Sequence, residues 1–374
     1  MKISAGELNR ATLARQFLLE REALDAVEGT LRIVAIQAQH PASPYLALWN
    51  RLVSFDPGEL DAAFAAGQVV KGTLLRLTLH AVHVDDHAPW HLAMQPTMRS
   101  RLTQARSGGL PPEEVHKLVP RLQDFLAEPR GNTEIEDWLS SHPGVVGKDV
   151  WWCLRCFVPM LHVPTGGPWS FGQRPAYVAT DAAPYSVEQS DAALETLVWR
   201  YLTGFGPASI ADIAQFTSVQ RTRTRAAVEA LRSRLLIFEG PDGKDLYDVP
   251  DAPLPSADTP APPRLMPMWD STLLAYDDRT RIVPAEYKTV VTRTNGDVLP
   301  TLLIDGHVAG VWRPVAEGIE ATAFRPLPRT VWKALETEAA SLLAFLADRD
   351  PGVYTRYGRW WSTLPAAETR VLAG

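Results

Sequence analysis

Gln37 and Gln39 stand two residues apart in Ile33-Val34-Ala35-Ile36-Gln37-Ala38-Gln39-His40-Pro41-Ala42-Ser43-Pro44-Tyr45, an apolar run that Pro41 and Pro44 bring to a stop. Each carboxamide offers a carbonyl oxygen that can accept a water proton and an amide group that can donate to a phosphate or base oxygen. Neither is a strong base, so the pair suits a reaction that needs a water placed and positive charge stabilised, on a substrate whose leaving group departs readily. The residue before a proline is pushed out of the α region, so the chain is expected to kink at Gln39-His40 between two buried helices, Gly29–Ile36 and Tyr45–Val53. A kink packed on both sides is a good mount for chemistry. A structural reading stands beside the chemical one, because polar side chains at a helix end also satisfy its last carbonyls.

Two other groupings could do chemistry. His80, His83, His87 and His91 surround Asp85 and Asp86, and His87 and His91 are spaced i, i+4 for one helix face. The cluster lacks a closing ligand for zinc, so no metal site is assigned. Trp152-Cys153-Leu154-Arg155-Cys156 has the spacing of a redox pair, but no βαβ pattern surrounds it and no second pair completes a zinc site. Buried cysteines on an apolar helix account for it. No cofactor is expected.

The elements that position these residues follow from pattern. Residues 7–28 read as one or two helices, and Asp56-Pro57-Gly58-Glu59 starts another that runs to Ala66. Val69 to His80 alternates as a strand pair. Helices Glu113–Leu126, Asn132–Leu139 and Val150–Phe157 follow, with Thr165–Gly172 as a wing. Asp191–Leu202, a capped turn at Phe205–Ala214 and Val219–Leu231 then repeat the scheme loosely, ending in a strand and turn at Leu235–Gly243. Val219–Leu231 carries Arg221, Arg223 and Arg225, which suit either a solvated face or contacts to phosphate. Residues 250–263 are a proline-rich, acidic linker. Asn295-Gly296 and Asp305-Gly306 between apolar runs signal hairpins, and Thr330–Ala347 is a terminal helix.

Ala11-Thr12-Leu13-Ala14-Arg15-Gln16 together with Ile36-Gln37-Ala38-Gln39-His40-Pro41-Ala42-Ser43-Pro44-Tyr45 resembles the AlkZ/YcaQ family of winged-helix DNA glycosylases. Tyr201-Leu202-Thr203-Gly204-Phe205-Gly206-Pro207-Ala208, Leu265–Tyr276 and Asn295–Arg313 extend the resemblance over nearly the whole chain. The Gln-x-Gln form is that of the AlkZ branch, whose members remove bulky alkylated purines and unhook interstrand crosslinks. The resemblance implies Gln37 and Gln39 as the catalytic residues. It also implies a contact near DNA for His80, and a hairpin at Asn295, with Arg293 on its shoulder, that enters the minor groove. Asp270 is expected to orient a basic residue and take no part in the reaction.

The expected architecture is therefore α+β: tandem winged helix-turn-helix modules in a concave arrangement plus a C-terminal antiparallel β-barrel or sheet. Its expected divisions are 1–107, 108–185, 186–250 and 251–374. The expected function is a monofunctional glycosylase for N7-alkylated purines, acting as a monomer on double-stranded DNA and serving in self-resistance to a DNA-alkylating antibiotic. The alternative is a noncatalytic winged-helix regulator.

Composition agrees with this frame. The chain has 374 residues, 46% of them hydrophobic, and twelve tryptophans, enough for a substantial core. No apolar run is long enough to span a membrane. The N-terminus lacks a signal-peptide pattern, and two cysteines provide no disulfide framework, so a reducing cytoplasm is expected. A net charge of −6 excludes nonspecific coating of nucleic acid, yet permits a local basic groove.

Overall fold

The computed structural model describes residues 1–181 and 185–373. The chain runs α1 (Ala5–Arg15), α2 (Ala26–Arg32), β1 (Ile36–Gln37), α3 (Ser43–Trp49), α4 (Pro57–Ala65), β2 (Val69–Thr73), β3 (Leu79–His83) and α5 (Val84–Arg99). There follow α6 (Pro112–Phe125), β4 (Arg130–Gly131), α7 (Asn132–Ser140), α8 (Gly147–Phe157), β5 (Met160–Val163) and β6 (Ala176–Ala179). Next are α9 (Val187–Phe205), α10 (Ile210–Thr217), α11 (Arg221–Leu231), β7 (Leu236–Glu239), β8 (Asp245–Asp248) and β9 (Arg264–Met266). The last elements are α12 (Lys288–Val291), β10 (Thr301–Ile304), β11 (His307–Val315), β12 (Gly318–Ala323), α13 (Arg329–Ala347) and β13 (Glu368–Leu372).

Local chemistry sets most boundaries. Ser4 caps α1 reciprocally with Glu7, and Asp25 caps α2 by accepting from the Glu28 N–H at 2.8 Å. Between them Phe17 takes a positive φ of 52°, which divides the helical stretch expected over 7–28. The helix expected to reach Ile36 ends at Arg32. Val34 takes φ 76°, and the chain then extends into β1, where Ile36 faces Ala81 and Gln37 faces His80 across an antiparallel ladder. The glutamines therefore sit on a strand edge and its exit, where a helix end was expected. The positive φ at Val34 breaks the helical path, and the β-branched, buried Ile36 suits the pleated ladder that follows.

Three open sheets organise the rest. One has six strands in the order β1-β3-β2-β5-β6-β4. Lys71 of β2 pairs with His162 of β5, so segments on either side of residue 108 share one sheet. Gly72 of β2 is required by packing, since a Cβ there would lie 2.7 Å from His87 Nε2. The second sheet is five-stranded, β13-β12-β11-β10-β9, antiparallel throughout, with α13 packed across it. Its end strands do not meet, so the β-barrel alternative is incorrect and the C-terminal region is an open sheet. A sheet whose one face is already covered by a helix has no need to curl on itself to bury that face. The third is the β7–β8 ribbon. Asp305-Gly306 forms the expected two-residue turn between β10 and β11, both residues at positive φ.

One continuous apolar core runs from Leu13 to Leu372 and takes in elements of every segment. Within it, Arg51, two residues beyond α3, makes a paired contact with Asp270, both oxygens at 2.9 Å and both side chains at most 2% exposed. Asp270 orients a basic residue, as expected. No helix is long and apolar enough to cross a membrane, among the described residues.

Candidate active site

Gln37 and Gln39 lie at the floor of a cleft of about 730 Å³. The floor is completed by the β2–β3 connection, Arg76 to Leu79, in which Arg76 and Leu77 both have positive φ. One wall comes from α8 and the segment before α6, with Trp152, Arg155, Arg101 and Arg106. The opposite wall is C-terminal: Trp269, Arg279 and the Asn295–Val298 turn. Among the described residues, five arginines line the cleft against one carboxylate, Asp297, which already accepts from Asn295 Nδ2 at 2.9 Å and Trp360 Nε1 at 3.0 Å. A chain with a net negative charge thus carries a cationic groove, the local feature a polyanion requires.

Arg76 is the hub of the floor. Its Nη2 donates to Gln37 Oε1 at 2.5 Å and to His80 Nε2 at 3.3 Å, and its Nη1 donates to the Phe216 carbonyl at 3.0 Å. The guanidinium also lies 4.7 Å over the Phe216 ring. Among the described residues it meets no carboxylate. The arrangement requires a neutral His80, whose Nδ1–H donates to the Thr78 carbonyl at 3.0 Å while Nε2 accepts. Burial, and then the charge of Arg76, pull the His80 pKa down to about 3.

The two glutamines consequently differ. Gln37 is buried and its carbonyl oxygen is taken by Arg76, which leaves the amide N–H groups for the cleft. Gln39 is exposed, and its carbonyl has only a long 3.5 Å contact from the Leu79 N–H, so it remains free to accept from a water. Neither side chain caps a helix. The turn beyond them is held by the C-terminal segment: His40 packs edge-on to Tyr354 at 4.9 Å, and Ser43 Oγ lies 2.9 Å from the Tyr354 hydroxyl.

The other expected contact residues fall in three places. His80 is fully buried beneath Gln37 and Arg76. Asn295 is exposed on the far rim of the cleft, at the tip of a tight turn that is closed by one Thr292–Val298 bridge without flanking strands. Arg293 turns away to Thr363 Oγ1 at 2.7 Å and packs over Trp360. The α11 arginines do not line the cleft. Arg221 faces Asp277 at 3.5 Å, Arg223 is held by Asp191 at 2.6 Å and by Ser190, and Arg225 is exposed. Residue pattern did not single out Arg76, although a lone cation within Leu74-Leu75-Arg76-Leu77 was a signal.

His87 and His91 stack at 5.9 Å on α5, and no third metal-ligating group converges on them among the described residues. Burial pulls His87 to about 4 and His91 to about 3, the latter helped by His87 and Arg99. Unfolded histidines titrate near 6.5, so below that pH the unfolded chain binds protons that His80, His87 and His91 refuse when folded. Stability is therefore present in full above about pH 6.5 and is lost as pH falls towards 4, at about 1.4 kcal/mol per pH unit for each histidine. Urea titrations at pH 7.5, 6 and 5 should show a falling midpoint. A constant midpoint over that range would contradict the buried, neutral placement.

Residues 30–345 match the family model described as DNA glycosylase AlkZ-like, so the chain belongs to the AlkZ-like DNA glycosylase family and is an enzyme with DNA as its substrate class. Among similar proteins is the interstrand DNA cross-link repair glycosylase of Streptomyces sahachiroi, 25% identical over 370 residues, covering 91% of this chain and 96% of that protein. The solved structure of the Streptomyces sahachiroi DNA glycosylase AlkZ matches with a TM-score of 0.80 at 22% identity, covering 92% of this chain and 96% of that one. The likeness extends to the mixed α+β fold with open sheets.

Proposed function

We propose that this protein is a monofunctional glycosylase that hydrolyses the N-glycosidic bond of N7-alkylated purines in duplex DNA, including the bulky adducts of interstrand crosslinks. The observation that carries this reading is a neutral carboxamide pair in the lining of an arginine-rich cleft, with no carboxylate beside it, among the described residues, to act as a strong base. An N7-alkylguanine already bears positive charge. Its N9–C1′ bond breaks with the electron pair moving to the purine, which leaves neutral. Water held by the Gln39 carbonyl adds to C1′ and its proton passes to solvent, while Gln37 N–H groups donate to a phosphate or base oxygen. The dipole of the free Gln39 carbonyl stabilises the oxocarbenium-like sugar, and the arginines hold the flanking phosphates.

No lysine lines the cleft among the described residues, which supports simple hydrolysis without an amine-linked intermediate. Lys71, the cation on β2, is buried with its ammonium 4.4 Å over the Phe171 ring. The α9–α11 helices with the β7–β8 ribbon serve as a winged helix-turn-helix, and Arg225 is the α11 arginine free to meet phosphate. Action as a monomer in the cytoplasm, and self-resistance to a DNA-alkylating antibiotic, complete the reading.

The test is incubation with duplexes carrying 7-methylguanine or an N7–N7 crosslink, followed by alkali. Strand breaks that appear only after alkali are expected from both. Tight DNA binding without base release from either would overturn the reading in favour of a noncatalytic DNA-binding protein.

A further inference from the structure

Of the twelve tryptophans, Trp152 alone is exposed, at 57%, and it lines the same cleft as Gln37 and Gln39. Its mount is rigid. On the same helix, α8, Trp151 is buried, donates to Asn132 Oδ1 at 2.9 Å and meets the Tyr177 ring edge-on at 5.1 Å. Val150, Leu154 and Phe157 of α8 are fully buried as well. One turn along, the Arg155 guanidinium covers the Trp152 ring at 3.7 Å from its centroid. A guanidinium at that distance both orients the indole and places a cation where a phosphate backbone would pass. Arg101 and Arg106 line the same cleft and add two more cations.

A large apolar ring left open to water is unfavourable unless something covers it in the working complex. The surroundings decide what that is. Several arginines and few acids exclude a cationic or apolar protein segment and favour a polyanion, and the planar apolar part of a polyanion of this kind is a nucleobase. We propose that Trp152, backed by Arg155, is a stacking platform for a base left unpaired at the lesion, in the same cleft as Gln37 and Gln39. The platform rests on the cleft being the DNA site of a glycosylase. It separates two tasks: the glutamines act at the sugar, and Trp152 holds open the duplex that exposes it.

The experiment compares binding of the full-length protein to a fully paired duplex and to the same duplex with 2-aminopurine opposite a tetrahydrofuran abasic analogue. Wild type should prefer the second duplex and quench its fluorescence. Base–aromatic stacking is worth enough that Trp152→Ala should lose roughly tenfold in affinity for that duplex. The quench should disappear with it, while affinity for the paired duplex stays the same. Trp152→Phe should retain most of both. Because the side chain is exposed, its truncation leaves the core intact, which an unchanged thermal midpoint verifies. Equal weakening on both duplexes, or a quench that survives Trp152→Ala, overturns the platform. Gln39→Ala protein keeps the quench whatever becomes of base release, so failure of the stacking proposal and failure of the catalytic one are read separately.

Discussion

Gln39→Ala is expected to slow single-turnover release of 7-methylguanine by about 10²- to 10³-fold, the range seen when one preorganised polar group is removed from an active site. DNA affinity should change little, because the side chain is exposed and makes only a 3.5 Å contact within the protein. The loss should therefore lie in the chemical step at saturating enzyme. Gln37→Ala should lower the rate too, with an added cost in stability of about 1–3 kcal/mol, since Arg76 Nη2 then loses its best acceptor in a half-buried site. Arg76→Ala should behave like Gln37→Ala in rate, because it frees the Gln37 amide to turn over. A single-turnover series on one 7-methylguanine duplex, with urea midpoints measured in parallel, separates the two glutamines. Equal rate and stability losses for Gln37→Ala and Gln39→Ala would show that the division of roles is wrong.

Asp270→Ala is expected to destabilise the protein by about 3–5 kcal/mol, because it leaves the buried Arg51 guanidinium without its partner. Asp270 Oδ1 also accepts from the Thr272 N–H at 3.0 Å, so the 3-10 turn that follows it loosens as well. Replacing both members together, as Arg51→Met with Asp270→Leu, should cost far less, since the desolvation of two charges is removed along with their attraction. The pair ties the turn that ends α3, the helix after the glutamines, to the turn after β9 that carries Trp269 in the cleft lining. Partial loss of activity at temperatures where the single variant is still folded would report that coupling. Chemical denaturation of the three proteins checks the energetic ordering, and a single variant as stable as wild type would contradict the buried pairing.

Short-range chemistry was readable from residues alone. Asp56 with Pro57 acts within one helical turn, and the Asp305-Gly306 turn acts within one hairpin. The glutamine pair and the chain stop after it were also legible, because prolines act on their nearest neighbours. What surrounds the pair was not. Ile33–Gln37 is as apolar as a buried helix, and only the β3 partner, some forty residues on, draws Ile36 and Gln37 into a strand. Arg76 reaches Gln37 across 39 positions, which no local spacing encodes. The arginine spacing of α11 suggested a contact face, yet Asp191, 32 positions earlier, occupies Arg223. Asn295-Gly296 did mark a turn, but the flanking residues pair in a single bridge because Trp269 and Trp360, from distant segments, hold that turn in place of strands. Barrel and open sheet differ only in whether the end strands meet, and α13 decided that by covering one face.

The far rim of the cleft is fastened at its tip. Trp269 Nε1 donates to the Gly296 carbonyl at 2.9 Å, Trp360 Nε1 reaches Asp297, and Asn295 bonds the same carboxylate. A rim so fastened does not fold down over a substrate, so on the proposed reading the duplex is the partner that bends and opens. Intact DNA resists that deformation through base stacking, whereas an alkylated or crosslinked site is already partly unstacked and yields at lower cost. Damage is then sorted by the stiffness of the nucleic acid before any atom of the lesion is touched.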